Sequence, residues 1–196
     1  FMSQGPRLNP LDATDPSRLA LLGQGPRGAG IIEDVAIAAG YAYAVDGSGL
    51  AILRVDDQDD PRPRLVGRYE AARFVSSVSV DGGLVYLLEP ETAVDPRSDT
   101  VAGSEIEVID ITEPTTPRQI ASFGIRYAHG RMAAHRGFLY VNVGGYGRRG
   151  VAVIDVRDPR RAGQVAFIER QQGIEDLYLS NDQVYLAAYR WLGIVD

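Results

Sequence analysis

Apolar and polar residues alternate along most of this chain in runs too short for helices. The segments "VAIAAGYAYAV", "VSVDGGLVYLL", "MAAHRGFLYVNV" and "LYLSNDQVYLAA" each hold two such runs joined by a turn. Successive strand side chains point to opposite faces, so this pattern predicts paired strands. In the first segment the alternation sets Val35 and Ile37 on one face and small residues on the other. Such faces suit a sheet that packs against neighbouring sheets. No stretch keeps a helical period with caps at its ends, and the predicted fold class is all-β.

The four segments recur with a fixed period and bring aligned tyrosines, Tyr43, Tyr86, Tyr140 and Tyr185. A second signature follows each of them, an apolar strand that ends in an acidic, proline-bearing turn. It reads "RLNPLDATDP", "EIEVIDITEP" and "VAVIDVRDP", with a degenerate copy "AILRVDDQDDP" and a last one, "LGIVD", at which the chain ends. Its final strand residues are Asp12, Arg54, Asp110, Asp155 and Asp196, spaced by 42, 56, 45 and 41. Two signatures on one period establish a tandem repeat. Each unit reads as four short strands; in the first they fall near residues 34–38, 41–45, 50–55 and 64–69. Repeated four-stranded antiparallel sheets predict a β-propeller in a single domain over residues 1–196, with repeats near 30–69, 74–124, 131–169 and 174–196 plus 11–23. Residues 19–22 are expected beside 192–195, completing the fourth blade and removing an exposed edge. Three closures stay open: four blades in one chain, about eight blades from a homodimer, or a place in a longer propeller.

The segments "VIDVRDP" after "GFLYVNV", "YAYAVDGSGLAIL" and "EVIDITEPTTPRQIASFG" resemble the LVIVD-repeat family of bacterial and archaeal β-propellers. The resemblance runs from about Leu11 to Asp196 and is specific to the repeat. It implies a surface-associated, periplasmic or otherwise extracellular protein, and brings no catalytic residues with it. Arg54 departs from the family pattern, which has Asp at that place, and four repeats are few for a complete member.

Composition narrows the chemistry. The 22 glycines and 11 prolines fit many short strands and turns. With no cysteine, disulfides, thiolate metal sites and cysteine nucleophiles drop out together. All 20 basic residues are arginine, the net charge is −6, and no basic cluster is interleaved with aromatics, which argues against nucleic acid as a partner. No apolar run reaches the length of about 18 residues that a membrane-spanning helix needs, and no signal peptide is visible at the start.

Aligning the repeats places Glu33-Asp34, Ser76-Ser77, Gly130-Arg131 and Glu175-Asp176 at equivalent positions, where the first strand of a blade begins at the mouth of a propeller channel. Carboxylates converging there repel unless a cation compensates. One reading is a ligand site in which Asp34 and Asp176 help hold Ca2+ or another divalent cation through oxygen ligands. The competing reading is a self-neutralising network in which Arg131 pairs with Asp176 and Asp34. His129 lies near the same mouth, without the spaced partners of a zinc triad. Residues 89–104 form a polar insertion between the second and third strands of the second unit, read as a lid or as a neutral surface loop. "GGYGRRG" (residues 144–150) occupies the same turn one unit later and lacks the context of a phosphate loop. Tyr146 and Trp191 sit at similar places, where an aromatic stacks on a sugar or peptide or packs along a blade edge. "DDQDD" lacks the glycine and glutamate of a calcium loop and reads as an acidic turn, and Ser48 in "DGSGL" is a hairpin residue, not a nucleophile. The leading expectation is therefore a non-catalytic binding or protein-interaction scaffold for a protein or carbohydrate ligand. The alternative is a lactonase-like propeller hydrolase with Glu33, Asp34, Glu175 and Asp176 around a divalent metal.

Overall fold

The computed structural model describes residues 1–57, 59–90, 103–145, 148–170, 173–180, 183–188 and 191–195. The chain divides into two compact units, Phe1–Val78 with Ile111–Arg118, and Ser79–Asp110 with Gln119–Asp196.

The first unit opens with a hairpin of β1 (Met2–Gln4) and β2 (Arg7–Asn9), followed by β3 (Leu11–Asp12) and β4 (Ala20–Leu21), which pair with each other. The turn between β3 and β4 is set by its own side chains. Asp12 accepts from the amide and hydroxyl of Thr14, and Asp15 accepts from those of Ser17. Short polar side chains that bond the backbone two residues on are what make such a turn local and self-contained. A four-stranded antiparallel meander follows: β5 (Asp34–Ala38), β6 (Tyr41–Val45), β7 (Gly47–Arg54) and β8 (Arg64–Val75). The first two strands lie where the alternation predicts them. The last runs six residues past its predicted end at 69, because Gly47 and Gly49 extend β7 backwards and Gly47 pairs with Val75. The small side chains of "YAYAV" form one face, Ala42 and Ala44, which with Ala51 and Leu53 receives Leu8 from β2. A flat alanine surface lets that strand approach closely, and the apolar area removed from water holds the N-terminal segment on the sheet.

The remaining strands are β9 (Ser77–Asp81), β10 (Leu84–Glu89), β11 (Ser104–Asp110), β12 (Arg118–Ile125), β13 (Ala128–His135), β14 (Phe138–Gly145), β15 (Arg148–Asp155), β16 (Gly163–Glu169), β17 (Ile174–Ser180), β18 (Gln183–Ala188) and β19 (Trp191–Val195). They form two four-stranded meanders, β9 to β12 and β13 to β16, and a sheet of three, β17 to β19. Among the described residues the last sheet has three strands, and Leu11–Asp12 pairs with Ala20–Leu21 within the first unit. The turns entering β6, β10 and β14 share a backbone signature. Ala39-Gly40, Gly82-Gly83 and Arg136-Gly137 all have positive φ at both places, the twist that matches a tight two-residue hairpin.

Within the second unit the sheets pack face to face, and β14 shows how. Its residues Leu139 and Val141 join Tyr86, Leu88, Ile106, Val108, Met132 and Ile154 in one core cluster. Its alternate residue Tyr140 packs on the opposite side against a cluster of Val151, Ile174, Leu177, Val184 and Leu186. A central strand thus has two buried faces, which is why "FLYVNV" is nearly continuous in apolar character. In the sheet of β17 to β19 the cluster of Ile174, Leu177, Val184 and Leu186 is buried, while Tyr178, Leu192 and Ile194 are 68%, 70% and 55% exposed. Burial separates the two kinds of leucine. We expect Leu139→Ala to cost about 2–5 kcal/mol in urea unfolding, and Leu192→Ala to stay within about 0.5 kcal/mol of the parent.

Candidate functional site

The residues expected at the channel mouth occupy the starts of the first strands, and each unit treats its own differently. In the first unit Asp34 opens β5 and is buried, at 7% exposure. Its Oδ2 accepts from Ser77 Oγ at 2.9 Å and from the Val78 amide at 3.1 Å, and its Oδ1 accepts from the Val35 amide at 2.9 Å. The sequence thus brings Asp34 and Ser77 together, as acceptor and donor of a buried tie between the starts of β5 and β9. Glu33 beside it is exposed, and its amide donates to the Val45 carbonyl at 2.9 Å.

In the second unit, the repeat-equivalent residues stand open. Arg131 Nε lies 3.7 Å from Asp176 Oδ1, with the two side chains 57% and 51% exposed. Asp176 Oδ1 also accepts from the Leu177 amide at 2.8 Å. Glu175 and His129 are exposed, and the His129 ring nitrogen Nδ1 lies 3.1 Å from the Tyr127 carbonyl. Both first strands bulge here, β13 between Ala128 and Met132 and β17 between Ile174 and Asp176. A bulge adds a residue to one strand and re-aims the side chains around it. At the bulge Gly130 adopts φ of 66°, and a Cβ there would come within 3.4 Å of Asn142 Nδ2 and 3.8 Å of the Glu175 carbonyl. Arg131 and Asp176 therefore form the pair that a self-neutralising network requires, at a length and exposure that leave it weak.

Tyr146 lies outside the described residues, as do residues 91–102 of the insertion, whose ends at Glu89 and Ser104 close β10 and open β11. Trp191 is the first residue of β19, and its side chain lies outside the described set. Among the described residues no group of three or more His, Cys, Asp and Glu side chains is arranged to hold a metal ion. The acidic turn after β7 is internally neutralised: Arg54 pairs with Asp56 at 2.8 Å, Arg62 with Asp60 at 2.8 Å, and Arg64 with Asp57.

Buried polar groups that sequence reasoning did not single out include Asp46, Ser79 and Asn142. Asp46, at 8% exposure, accepts from the amides of Ala29 and Gly30 and from the hydroxyl and amide of Ser48, with Arg68 at 3.6 Å. It fastens the loop before β5 to the turn after β6. Ser79 Oγ accepts from the Ala134 amide at 2.8 Å, joining β9 to β13. Asn142, at 1% exposure, donates through Nδ2 to the Ile174 carbonyl, joining β14 to β17. Asn142 had a visible signal, a lone amide in an otherwise apolar strand. Burial works to raise the Asp46 carboxyl, but the hydrogen bonds from Ser48, Ala29 and Gly30 outweigh it and hold the group below its ordinary value.

No known family's sequence pattern matches the chain, and no curated protein matches it. Solved structures do. The computationally designed Ika4 protein aligns with a TM-score of 0.57 at 11% identity, over 84% of this chain and 89% of its own. The computationally designed Ika8 protein aligns with a TM-score of 0.58 at 10% identity, over 90% of this chain. The chain spans 49% of that protein's length. Similarity at such identity concerns the fold alone. The fold class is all-β, a β-propeller with four blades of antiparallel strands.

Two outcomes follow from these contacts. Asp34→Ala strands the buried Val78 amide and should cost about 1–3 kcal/mol, whereas Asp176→Ala should cost less than about 0.5 kcal/mol, both read by chemical denaturation. The depressed Asp46 carboxyl contributes stability that is present above about pH 4 and is lost as pH falls through its lower folded-state value. Thermal melts should therefore fall on acidification below about pH 4, and the fall should be shallower in Asp46→Asn.

Proposed function

We propose that this chain is a non-catalytic binding scaffold of the LVIVD-repeat propeller type, working outside the cytoplasm at a bacterial cell surface. Its ligand face is at the starts of the first strands, and the ligand is a protein or carbohydrate. The observation that carries this reading is the open pair Arg131–Asp176 with exposed Glu175 and His129 at the bulged starts of β13 and β17. Exposed charges in a long, solvent-open ion pair can exchange that pairing for a ligand at little desolvation cost, unlike Asp34, which is spent on the fold. In the first unit Glu33 is exposed at the equivalent place while Ser77 is buried against Asp34, and Tyr146 and Trp191 stay candidates from their places at the turns between second and third strands. The export and the family rest on the quoted repeat signatures.

A divalent cation at Asp34 and Asp176, and with it the hydrolase alternative, has less support. Ca2+ takes six to eight oxygen ligands, while Asp34 already accepts from Ser77, Val78 and Val35. Thermal melting with and without millimolar CaCl2 tests this: we expect no shift, and a clear upward shift reinstates the metal site. Glycan and peptide arrays probed with the parent and with Arg131→Gln test the scaffold. Retained ligands should lose signal in the variant, and a hit that is turned over rather than held overturns the non-catalytic reading.

Homodimerisation through blade completion is the partner reading we favour, since β19 has no fourth strand among the described residues and Leu192 and Ile194 are exposed beside it. Light scattering that finds a strict monomer at all concentrations removes it.

A further inference from the structure

A second recess lies away from the first-strand starts, wholly within the second unit. It opens between β12, the outermost strand of one sheet, and β16, the outermost strand of the next. Its volume is about 490 Å3, within the range of small-molecule sites. Phe123, Tyr127 and Phe167 line it, with Ile154 among the apolar residues and Arg126 and Gln164 as its charged and amide side chains.

The walls are built by local devices. In β16 the register slips beside Val165: Ile154 pairs with Gln164, Val153 with Ala166 and Ala152 with Phe167. The extra residue puts Gln164 and Phe167, three apart, on the same face as Ile154 and Ala152, where strict alternation would have separated them. Val165, the residue left over, is 59% exposed. On the opposite wall Tyr127 has φ of 59°, a left-handed backbone that a bulky side chain adopts only when its surroundings impose it. The surroundings are visible: Gly144 donates its amide to the Tyr127 carbonyl at 3.0 Å, and the ring lies so close over Gly145 that a Cβ there would come within 2.6 Å of it. The tyrosine is thus held in place before any ligand arrives, and strain of this kind concentrates at binding sites.

Charge points the same way. Arg126 is exposed and has no ion pair among the described residues, and the Ala162–Gln164 rim follows Arg160 and Arg161, of which Arg161 makes only a 3.8 Å contact with Asp158. A lining arginine without an ion pair among the described residues, on a chain of net charge −6, is a local feature and not a consequence of composition. A guanidinium offers a planar fork matched to a carboxylate, an amide adds a further donor, and aromatic walls favour a ring that meets them edge to face or offset.

We propose that this recess is a binding site for a small aromatic carboxylate, the ring between Phe123, Tyr127 and Phe167 and the carboxylate on Arg126 with Gln164. It is independent of the ligand face at the first strands and stands or falls separately.

The probe is 2-naphthoate, titrated into the full chain by ligand-observed NMR, beside the neutral 2-naphthalenemethanol and a blocked peptide of sequence Asp-Phe-Asp. Binding of 2-naphthoate in the micromolar to low-millimolar range is expected, with the alcohol weaker. Arg126→Gln, at an exposed position that the fold does not use, should weaken 2-naphthoate about tenfold or more and leave the alcohol unchanged. Phe167→Ala, accepted only if its melt matches the parent, should weaken both. The proposal is overturned if 2-naphthoate does not bind, if the peptide alone binds, or if Arg126→Gln leaves the 2-naphthoate affinity unchanged.

Discussion

Strands buried on both faces are the constraint from which the rest of the architecture follows. β14 sends Leu139 and Val141 into one core cluster and packs the half-buried Tyr140 against another, so both of its faces are covered. A sheet in that position must satisfy its polar side chains internally, because an unpaired buried donor or acceptor costs more than a good contact returns. Within the second unit single side chains reach from one sheet to the backbone of the next, Ser79 Oγ to the Ala134 amide and Asn142 Nδ2 to the Ile174 carbonyl, while Asn142 Oδ1 is left buried without a partner among the described residues. Within the first unit, Asp34 does the same for Ser77 and Val78. Apolar packing alone would let sheets slide. These buried hydrogen bonds fix the offset of one sheet against the next, close to where the first strands begin.

The repeat was legible in the sequence because it rests on period-two alternation and on turn chemistry, both of which act over a few residues. The turns entering β6, β10 and β14 need positive φ at two successive places, and glycine at the second place of each announces them. The apparent irregularity at Arg54 is also local. In the third repeat Asp155 pairs with Arg157, which holds the Asp155 carboxyl at about 2. In the first repeat the same two places carry Arg54 and Asp56, paired at 2.8 Å. The ion pair is kept with its signs exchanged between these two repeats, and at the same two places Asp12 instead accepts from Thr14.

What was not legible depends on contacts far apart in sequence. Asp46 reads as half of an ordinary Asp-Gly hairpin, yet it binds the amides of Ala29 and Gly30. Glycine at position 30 is required for that approach, since a Cβ there would come within 2.5 Å of the Asp46 carbonyl. The aromatic recess was hidden for another reason: it depends on one extra residue at Val165 and on a left-handed Tyr127, and neither leaves a mark in hydrophobic periodicity. Strand lengths missed by a few residues where glycines let a hairpin lengthen, as in β7 and β8.

Repeat equivalence is a statement about backbone position, and the comparison of Asp34 with Asp176 shows how little it says about chemistry. Both are the acid at the start of a first strand, and both accept from the amide of the following residue, Val35 or Leu177. Asp34 faces a serine hydroxyl and a strand amide, and burial with three donors makes it part of the fold. Asp176 faces an arginine at 3.7 Å in the open, where water competes for both partners. The difference arises from the neighbouring repeat, which supplies Ser77 in one case and Arg131 in the other. One repeat position is buried in hydrogen bonds in the first unit and solvent-exposed in the second, and the residue facing the acid decides which.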